Sequence, residues 1–460
     1  MIKKLHYILL TLLLTSSYSF SQGLGTIKGT VSDGDSKDPI WNAKITLTQN
    51  GVKKGQAKTD FDGVFQFDAL QPGQYDVSFE NKAEGYKPGL RTGVTVSADK
   101  YRILNDLYLS KASDVTELEE VKVTAYKEKL IDPEGASGGT IGREQLAALP
   151  IRSAAEATAA VAGVNRSEAD GGISIKGART SDSYFYIDGI KVRGSSNLPK
   201  GALEEVQVIT GGLPANYGDV TGGIISITTR GPSSNYFGSI EAVSSGIYIN
   251  GEDPDGYDGK VIGFDKFGYN LFEGLLSGPL LMKRDSTGKK TIPILGFLIS
   301  ANYTDRLDSR PLAGGSYRIK KDVRDDLLAN PLRPTATGFG TFHNALFLSM
   351  DDFEKSDWRM NARNRVFSAQ GKIDVNTGAT TNLQFGGSLN YSTGSNWDRN
   401  GSLLNFGNFG EYENIDYRVY GRFTQRFSNN TGSEESGSSK IKSANYNLMV
   451  DFSKSMRDYY

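Results

Sequence analysis

The chain has 460 residues, 54 glycines and no cysteine, which is enough for two or three domains and excludes a disulfide scaffold or a thiolate metal site. Its 52 lysines and arginines nearly balance 53 aspartates and glutamates, so no net field recruits nucleic acid. Only His6 and His343 could serve histidine-based catalysis. We therefore predict a multidomain protein that is not an enzyme, uses no cofactor or metal, and binds no nucleic acid.

Residues 1–21 have the pattern of a secretory signal peptide. Lys3 and Lys4 give a positive start, residues 8–14 form an apolar run, and Ser19 and Ser21 are small residues at the positions that signal peptidase recognises. The apolar run is much shorter than the roughly 20 residues of a membrane-spanning helix, which argues against a retained N-terminal anchor. We expect an exported chain that begins at Gln22 after cleavage.

Residues 22–112 predict a β-sandwich of about seven strands. Apolar and polar positions alternate at 26–31, 43–48, 64–67 and 75–79. Turns with glycine or proline separate these stretches, because glycine accepts positive φ and proline fixes the corner before it.

The same segment resembles the carboxypeptidase regulatory-like domain. The motifs that carry the resemblance are Pro39-Ile40 before Ala43, Thr59-Asp60 before Gly63-Val64-Phe65, Leu70-Gln71-Pro72-Gly73-Gln74-Tyr75, and Gly85-Tyr86. The segment contains no histidine, so the resemblance does not extend to the zinc site of a peptidase.

Residues 113–133 form a polar linker with one strand-like segment. Its residues are Leu118, Glu119, Glu120, Val121, Lys122, Val123, Thr124 and Ala125. A strand with unpaired backbone groups can add to the sheet edge of another protein. The segment resembles the TonB box of TonB-dependent outer-membrane receptors, which implies docking of a periplasmic energy-coupling protein. An ordinary linker strand is the alternative.

Residues 134–231 predict a compact α+β domain. Ser153 and Glu156 form a capping box before a helix over 154–162, and Gly163 stands where a left-handed C-terminal cap belongs. Strand patterns follow at 173–177, 205–210 and 224–230, and the hairpin at 184–192 has Asp-Gly at its turn.

This order of motifs resembles the plug domain of TonB-dependent receptors. The matching motifs are Leu149-Pro150, Gly163-Val164-Asn165, Ile173-Ser174-Ile175-Lys176-Gly177-Ala178-Arg179, Tyr186-Ile187-Asp188-Gly189, Glu205-Val206, Tyr217-Gly218 and Gly222-Gly223-Ile224-Ile225-Ser226-Ile227-Thr228. The plug residues that we single out are Lys176, Gly177, Arg179, Asp188, Gly189, Glu205, Tyr217, Gly218, Gly222, Gly223 and Arg230.

The resemblance implies that Arg179 and Arg230 make salt bridges to carboxylates on a surrounding barrel wall. Lys176 departs from the pattern, because arginine is usual there and lysine cannot make a planar two-pronged bond. A free-standing α+β domain is the alternative to a plug.

Residues 232–460 predict part of an antiparallel transmembrane β-barrel. Of the 48 aromatic residues, 31 lie between Tyr236 and Tyr460, as expected for aromatic girdles. Apolar and polar positions alternate over 382–391 and 415–423, which suits strands with one face in lipid and one in a wet lumen. A soluble β-sandwich has the same period and is the alternative.

The barrel predicted here is incomplete. The resemblance implies 22 strands, which need roughly 220 residues before any loop is counted, whereas 225 residues follow Asn235. The region 319–361 is mostly loop, with helix character at 322–329, and 453–458 lack clear alternation. We therefore expect an N-terminal portion of a longer receptor.

Together these features predict a mainly β protein of the cell outer membrane, with its N-terminal domain in the periplasm. The resemblance implies uptake of an unidentified large or scarce nutrient. The implied partners are the TonB energy-coupling complex, outer-membrane lipid and an unknown ligand, for which a surface lipoprotein is one candidate. The alternative function is a non-transporting scaffold or adhesin component with a static plug.

Overall fold

The computed structural model describes residues 24–49, 51–98, 100–111, 122–126, 137–151, 153–167, 172–192, 198–213, 217, 220–231, 235–253, 256–284, 290–376, 381–428 and 443–460. The predicted signal peptide, the first four residues of the strand-like linker segment and Gly218 lie outside these ranges.

The N-terminal domain is a β-sandwich with the seven strands that the sequence predicts. They are β1 (Gly25–Asp33), β2 (Lys44–Gln49), β3 (Val52–Lys58), β4 (Val64–Leu70), β5 (Gly73–Glu80), β6 (Gly89–Val96) and β7 (Tyr101–Leu109). One layer has the order β4-β1-β7, and the facing layer contains β3-β2-β5-β6. Buried and exposed positions alternate along β1 and β5, so each layer sends every second side chain into a shared apolar core.

The α+β domain that the sequence predicts as a plug is built around a sheet whose two central strands are largely buried. Its elements are β9 (Ser137–Gly142), α1 (Arg143–Ala148), α2 (Ala154–Thr158), β10 (Val164–Arg166), β11 (Ile173–Ile175), β12 (Ser183–Ile187), β13 (Ile190–Lys191), β14 (Leu203–Gly211) and β15 (Gly223–Thr229). The sheet order is β13-β12-β15-β14-β9. The central strands β14 and β15 are buried on both faces, since the plug's own apolar core covers one face and neighbouring parts of the chain cover the other.

The predicted capping box is only partly realised. The Ser153 hydroxyl accepts a hydrogen bond from the Glu156 amide at 3.2 Å, as a capping residue does. The helix ends at Thr158, four residues earlier than the sequence suggests, and Gly163 takes its positive φ in the turn that follows. A run of small residues lacks the apolar stripe that would hold a longer helix against the sheet.

The C-terminal half forms a seven-stranded antiparallel sheet with large connections. The strands of this half of the chain, in the main sheet and in its connections, are β16 (Phe237–Ser244), β17 (Gly246–Ile249), β18 (Lys260–Gly263), β19 (Tyr269–Arg284), β20 (Lys290–Arg306), β21 (Ser316–Ile319), β22 (Leu332–Pro334), β23 (Thr341–His343), β24 (Phe353–Ser356), β25 (Asn364–Asn376), β26 (Thr381–Ser395), β27 (Glu411–Ser428) and β28 (Ser443–Tyr459). The main sheet has the order β16-β19-β20-β25-β26-β27-β28, so in the described part of the chain it is open between β16 and β28. The predicted helix is α3 (Lys321–Ala329).

None of the helices within the described ranges is long and apolar enough to cross a membrane.

The main sheet is polar on the face that meets the plug and apolar on the opposite face. Polar residues that face the plug are buried, among them Gln384 at 1% and Arg422 at 4% exposure. Apolar residues of the opposite face are exposed, including Phe385, Val419 and Phe452 at 52–55%. The alternation predicted over 382–391 and 415–423 is confirmed, and β28 extends through 453–458 although the sequence there has a weak pattern.

The six connections between the main strands divide into two sets. Those at one end of the sheet span 285–289, 377–380 and 429–442, whereas those at the other span 245–268, 307–363 and 396–410. The longest carries α3 and two small two-stranded antiparallel sheets, β21 with β24 and β22 with β23. The two shortest connections lie at the first end and the two longest at the other, and such an asymmetry is typical of outer-membrane barrels.

Candidate functional site: the contact between plug and sheet

The hairpin turn between β12 and β13 presents Asp188 to the main sheet. Asp188 and Gly189 have φ values of 51° and 80°, the paired positive values of a tight hairpin turn that Asp-Gly sequences favour. The sequence predicts this turn. Its position against the sheet leaves Asp188 only 5% exposed.

Within the plug, Asp188 is fixed by the end of β15. Its carboxylate accepts hydrogen bonds from the Thr229 amide at 2.9 Å and from the Thr229 hydroxyl at 2.6 Å. The Asp188 amide donates to the Ile227 carbonyl at 2.9 Å. These bonds hold the carboxylate in one orientation before the sheet makes contact with it.

Three residues of the sheet meet Asp188, two at its carboxylate and one at its backbone carbonyl. The Tyr420 hydroxyl donates to Asp188 Oδ2 at 2.9 Å, and Lys372 Nζ lies 3.9 Å from Asp188 Oδ1. Lys372 also donates to the Thr229 carbonyl and hydroxyl at 3.3 and 3.2 Å, while Arg422 donates to the Asp188 carbonyl. The contact is therefore a buried polar network with one anion on the plug and two cations on the sheet.

Strand register places these sheet residues in adjacent rows. Lys372, Gly386 and Tyr420 are cross-strand partners in one row, and Arg422 occupies the next row. A Cβ atom on Gly386 would lie 2.5 Å from the Tyr420 ring, so glycine leaves the space in which the ring lies. Gly386 thus contributes to the site without touching the plug.

The positive charges and hydrogen bonds around Asp188 lower the pKa of its carboxyl more than burial raises it. Burial alone would raise the pKa of this carboxyl, but Lys372, the two Thr229 bonds and Arg422 hold the pKa below its ordinary value. Asp188 is consequently ionised at neutral pH, and its attraction to the sheet does not depend on pH in the physiological range.

This network has the reverse polarity of the predicted salt bridges. Within the described residues, Arg230 lies 4.0 Å from Glu204 of the plug itself and stacks over the ring of Phe237 in the first sheet strand, at 4.1 Å. A sheet carboxylate does reach this region, because Glu273 accepts a hydrogen bond from the Gly201 amide at 2.7 Å. Arg230 contacts the first sheet strand through an aromatic ring.

Arg179 is exposed, and its predicted partner on a barrel wall stays a prediction. Lys176, at the position where arginine is usual, donates to the Ser137 hydroxyl at 3.1 Å and has a positive φ of 50°. Gly177 follows in the same turn with φ of 81°. This motif therefore shapes a corner of the plug.

The remaining motif residues of the plug serve packing. Tyr217 makes an edge-on contact with Tyr186, with 4.9 Å between ring centroids. Gly222 and Gly223 lie where a Cβ atom would come within 3.0 Å of neighbouring atoms. Their role is close approach of β15 to β11 and to the turn after Arg179.

The sandwich domain also contacts the plug and the sheet. Glu205 of β14 is 2% exposed and accepts a hydrogen bond from the Ser97 hydroxyl, after β6, at 3.1 Å. Burial, partly opposed by this bond and reinforced by Glu204, raises the pKa of Glu205 to about 8. Arg426 at the end of β27 donates to the Ala69 carbonyl of the sandwich at 2.6 Å. A cavity of about 80 Å³ lies where the three parts meet, lined by Gln71, Arg230 and Lys372 among others.

The strand-like linker segment is paired rather than free. Its described residues form β8 (Lys122–Ala125), which adds to β6 in parallel and extends that sandwich layer to β3-β2-β5-β6-β8. The expectation of unpaired backbone groups is therefore wrong for these four residues. The edge of β6 supplies partners that sequence reasoning did not consider.

Sequence reasoning missed the sheet half of the site. Tyr420 and Arg422 stand on the face that was expected to line a wet lumen, and Lys372, Gly386 and Glu273 were not singled out. Large charged residues on the inner face of a strand were the available signal for a contact with the plug, since a buried charge needs a partner when a domain fills the lumen.

Comparison with known proteins agrees with two of these parts. Residues 26–110 match the carboxypeptidase regulatory-like domain, and residues 135–224 match the TonB-dependent receptor plug domain. In this chain a regulatory-like sandwich thus precedes a domain that is similar to the plug of TonB-dependent receptors.

Individual relatives are longer than this chain. It is 26% identical over 254 residues to the TonB-dependent transporter Oar of Myxococcus xanthus, a match that covers 50% of this chain and 22% of that protein. The alcaligin outer-membrane receptor FauA of Bordetella pertussis aligns with a TM-score of 0.42 and 11% identity, over 72% of this chain and 40% of that one. The siderophore receptor PirA of Pseudomonas aeruginosa aligns with a TM-score of 0.38 and 15% identity, over 72% and 44%. The match thus covers about a fifth of the length of the Myxococcus xanthus relative.

Proposed function

We propose that this chain acts in TonB-dependent uptake of a large or scarce nutrient across the outer membrane. The observation that carries the proposal is the buried network between Asp188 of the plug and Lys372, Tyr420 and Arg422 of the sheet. A plug held in this way covers the polar face of the sheet. Passage of a solute then requires work on the plug, which the proton gradient can supply through an energy-coupling protein.

The proposed orientation puts the sandwich in the periplasm. Its contacts fall at the end of the sheet with the short connections: Gln71 lies 3.5 Å from Asn382, beside the 377–380 connection, and Arg426 precedes the 429–442 connection. Periplasmic turns of outer-membrane barrels are short and extracellular loops are long. The exposed apolar face of the sheet would then meet outer-membrane lipid.

The long connections would face outward and meet the ligand. The longest carries exposed apolar side chains, including Leu328 at 70%, Phe339 at 88% and Leu346 at 70%. Such side chains suit contact with another macromolecule, and a surface lipoprotein is one candidate.

The coupling site of the proposal is the segment 118–125. It lies between the sandwich and the plug in the sequence, its described residues pair with the sandwich that we assign to the periplasm, and its strand character suits addition to a partner's sheet. The name of the Myxococcus xanthus relative, a TonB-dependent transporter, supports the same assignment.

The proposal is tested at Val121 in the full-length protein. Val121→Pro removes a backbone donor and fixes φ, whereas the control Val121→Thr keeps the donor and the β-branched shape. The detergent-solubilised wild type and Val121→Thr should bind the purified periplasmic domain of the host's TonB protein, and Val121→Pro should not. Growth on limiting nutrients should fall with the proline variant at equal surface abundance. Unchanged binding and growth would favour the static scaffold or adhesin.

A further inference from the structure

The strand β8 occupies the edge of the sandwich in a defined register. Lys122 to Ala125 pair with Gly89 to Thr92 in order, without a bulge. The Tyr126 amide continues the ladder by donating to the Thr92 carbonyl at 2.8 Å. The half of the candidate coupling segment nearest the plug is thus already a strand of the chain's own sheet.

Tyr126 fastens this strand to the sandwich. Its ring packs against the sandwich core and lies 5.3 Å from the Arg102 guanidinium. Its hydroxyl accepts a hydrogen bond from Arg102 Nη1 at 3.0 Å. Arg102 is itself held by a 2.7 Å bond from Nε to the Thr95 carbonyl, so the contact is organised from the sandwich side.

Docking hides one face of the segment. Thr124 and Tyr126 are two residues apart and lie on the same face of an extended chain, and both are partly buried. Val123, on the opposite face, is 58% exposed. A partner strand that reads the Thr124 face, or that takes the backbone groups now paired with β6, has to displace the segment from the sandwich.

We propose that the edge of β6 is an internal binding site for the coupling segment and competes with the periplasmic energy-coupling protein. This inference rests on the proposed function of the segment. A tethered segment has an effective concentration in the millimolar range, so even weak pairing keeps it mostly docked. The apparent affinity for the partner is then the intrinsic affinity multiplied by the fraction of molecules in which the segment is free. The sandwich domain thereby sets the threshold for coupling.

A reversible crosslink tests the competition directly. Leu90 and Val123 are register partners on neighbouring strands, a spacing that a disulfide can bridge, and the chain has no other cysteine. The full-length double variant Leu90→Cys with Val123→Cys should bind the purified periplasmic domain of TonB when reduced and lose at least about tenfold in affinity when oxidised. Leu90→Cys alone and Val123→Cys alone should not respond to the oxidant.

The opposite perturbation loosens the docked strand. Tyr126→Ala removes the ring and hydroxyl contacts with Arg102 and should raise the affinity for the TonB domain by about tenfold. Tyr126→Phe keeps the ring over the guanidinium and should raise the affinity less. Hydrogen exchange of the Val123 to Tyr126 amides should accelerate in the same order.

The outcomes separate this inference from the proposed function. Equal binding by the oxidised and reduced crosslink variants would overturn the competition and leave TonB coupling intact, because the outer edge of β8 would then suffice. Absence of binding by the wild type, the reduced variant and Tyr126→Ala alike would overturn TonB coupling itself, and the competition with it. A lower affinity of Tyr126→Ala than of the wild type would also overturn the competition.

Discussion

Replacement of Asp188 by asparagine removes the negative charge with which the plug meets Lys372 and Tyr420 of the sheet. The shape of the side chain is retained, and asparagine can still accept the bond from the Thr229 amide. Lys372, whose side chain is 3% exposed, keeps its bonds to Thr229 but loses its anionic partner. The perturbation therefore tests the charge of the network rather than its packing.

The expected cost is large because both members of the pair are buried. Removing one partner of a buried ion pair typically costs about 3–5 kcal/mol, since the other charge is left without compensation. A loss of 3–5 kcal/mol corresponds to a shift of about 10² to 10³ or more in the equilibrium between seated and unseated plug. The strands of the main sheet pair with one another independently of Asp188, so the cost falls on plug docking.

Cells that carry Asp188→Asn in the full-length protein should become sensitive to large glycopeptide antibiotics, with normal heat-resistant folding of the barrel. Combining Asp188→Asn with Lys372→Met removes both members of the ion pair and should recover part of the seal, because Lys372 is then no longer left without its anionic partner. Asp182→Asn is a control, as that carboxylate bonds the neighbouring Ser181 hydroxyl. Wild-type resistance in Asp188→Asn cells, or leakiness as large in the double variant as in the single one, would refute the reasoning.

Three further outcomes are expected. Gly386→Ala should push the Tyr420 ring away from the plug and weaken the seal by about tenfold, whereas Gly371→Ala, with open space at its Cβ, should have no effect in the same antibiotic assay. Glu205 has a pKa raised from 4.5 to about 8, so its contribution to stability is fully present below about pH 4.5 and is lost as pH rises through 8. The melting temperature of the purified protein should therefore fall between about pH 6 and 9, and Glu205→Gln should flatten this dependence. A wild-type melting temperature that does not change over this pH range would contradict the burial argument. Arg179→Ala should leave barrel folding unchanged and make cells leaky if a barrel-wall carboxylate meets Arg179, and loss of barrel folding without leakiness would contradict the plug assignment at this residue.

Local chemistry in the sequence determined the strands and turns. Alternation of apolar and polar residues has a period of two only in extended chain, and Asp188-Gly189 accepts the positive φ values of a hairpin turn, so these features need no tertiary information. The order of motifs over 134–231 likewise predicted an α+β domain through its resemblance to receptor plugs. The sequence also predicted that the main sheet has one polar and one apolar face, because each strand shows the alternation by itself.

Tertiary structure alone decided which of these surfaces meet. Nothing in the sequence places Asp188 beside Lys372 and Tyr420, since the pairing depends on the register of β25, β26 and β27 and on how the plug seats against them. The docking of β8 on β6 is a second example, because a strand edge offers main-chain groups that any extended segment can use. The sequence specifies that an extended segment exists at 122–125, whereas the fold specifies that the edge of β6 is the one with which it pairs.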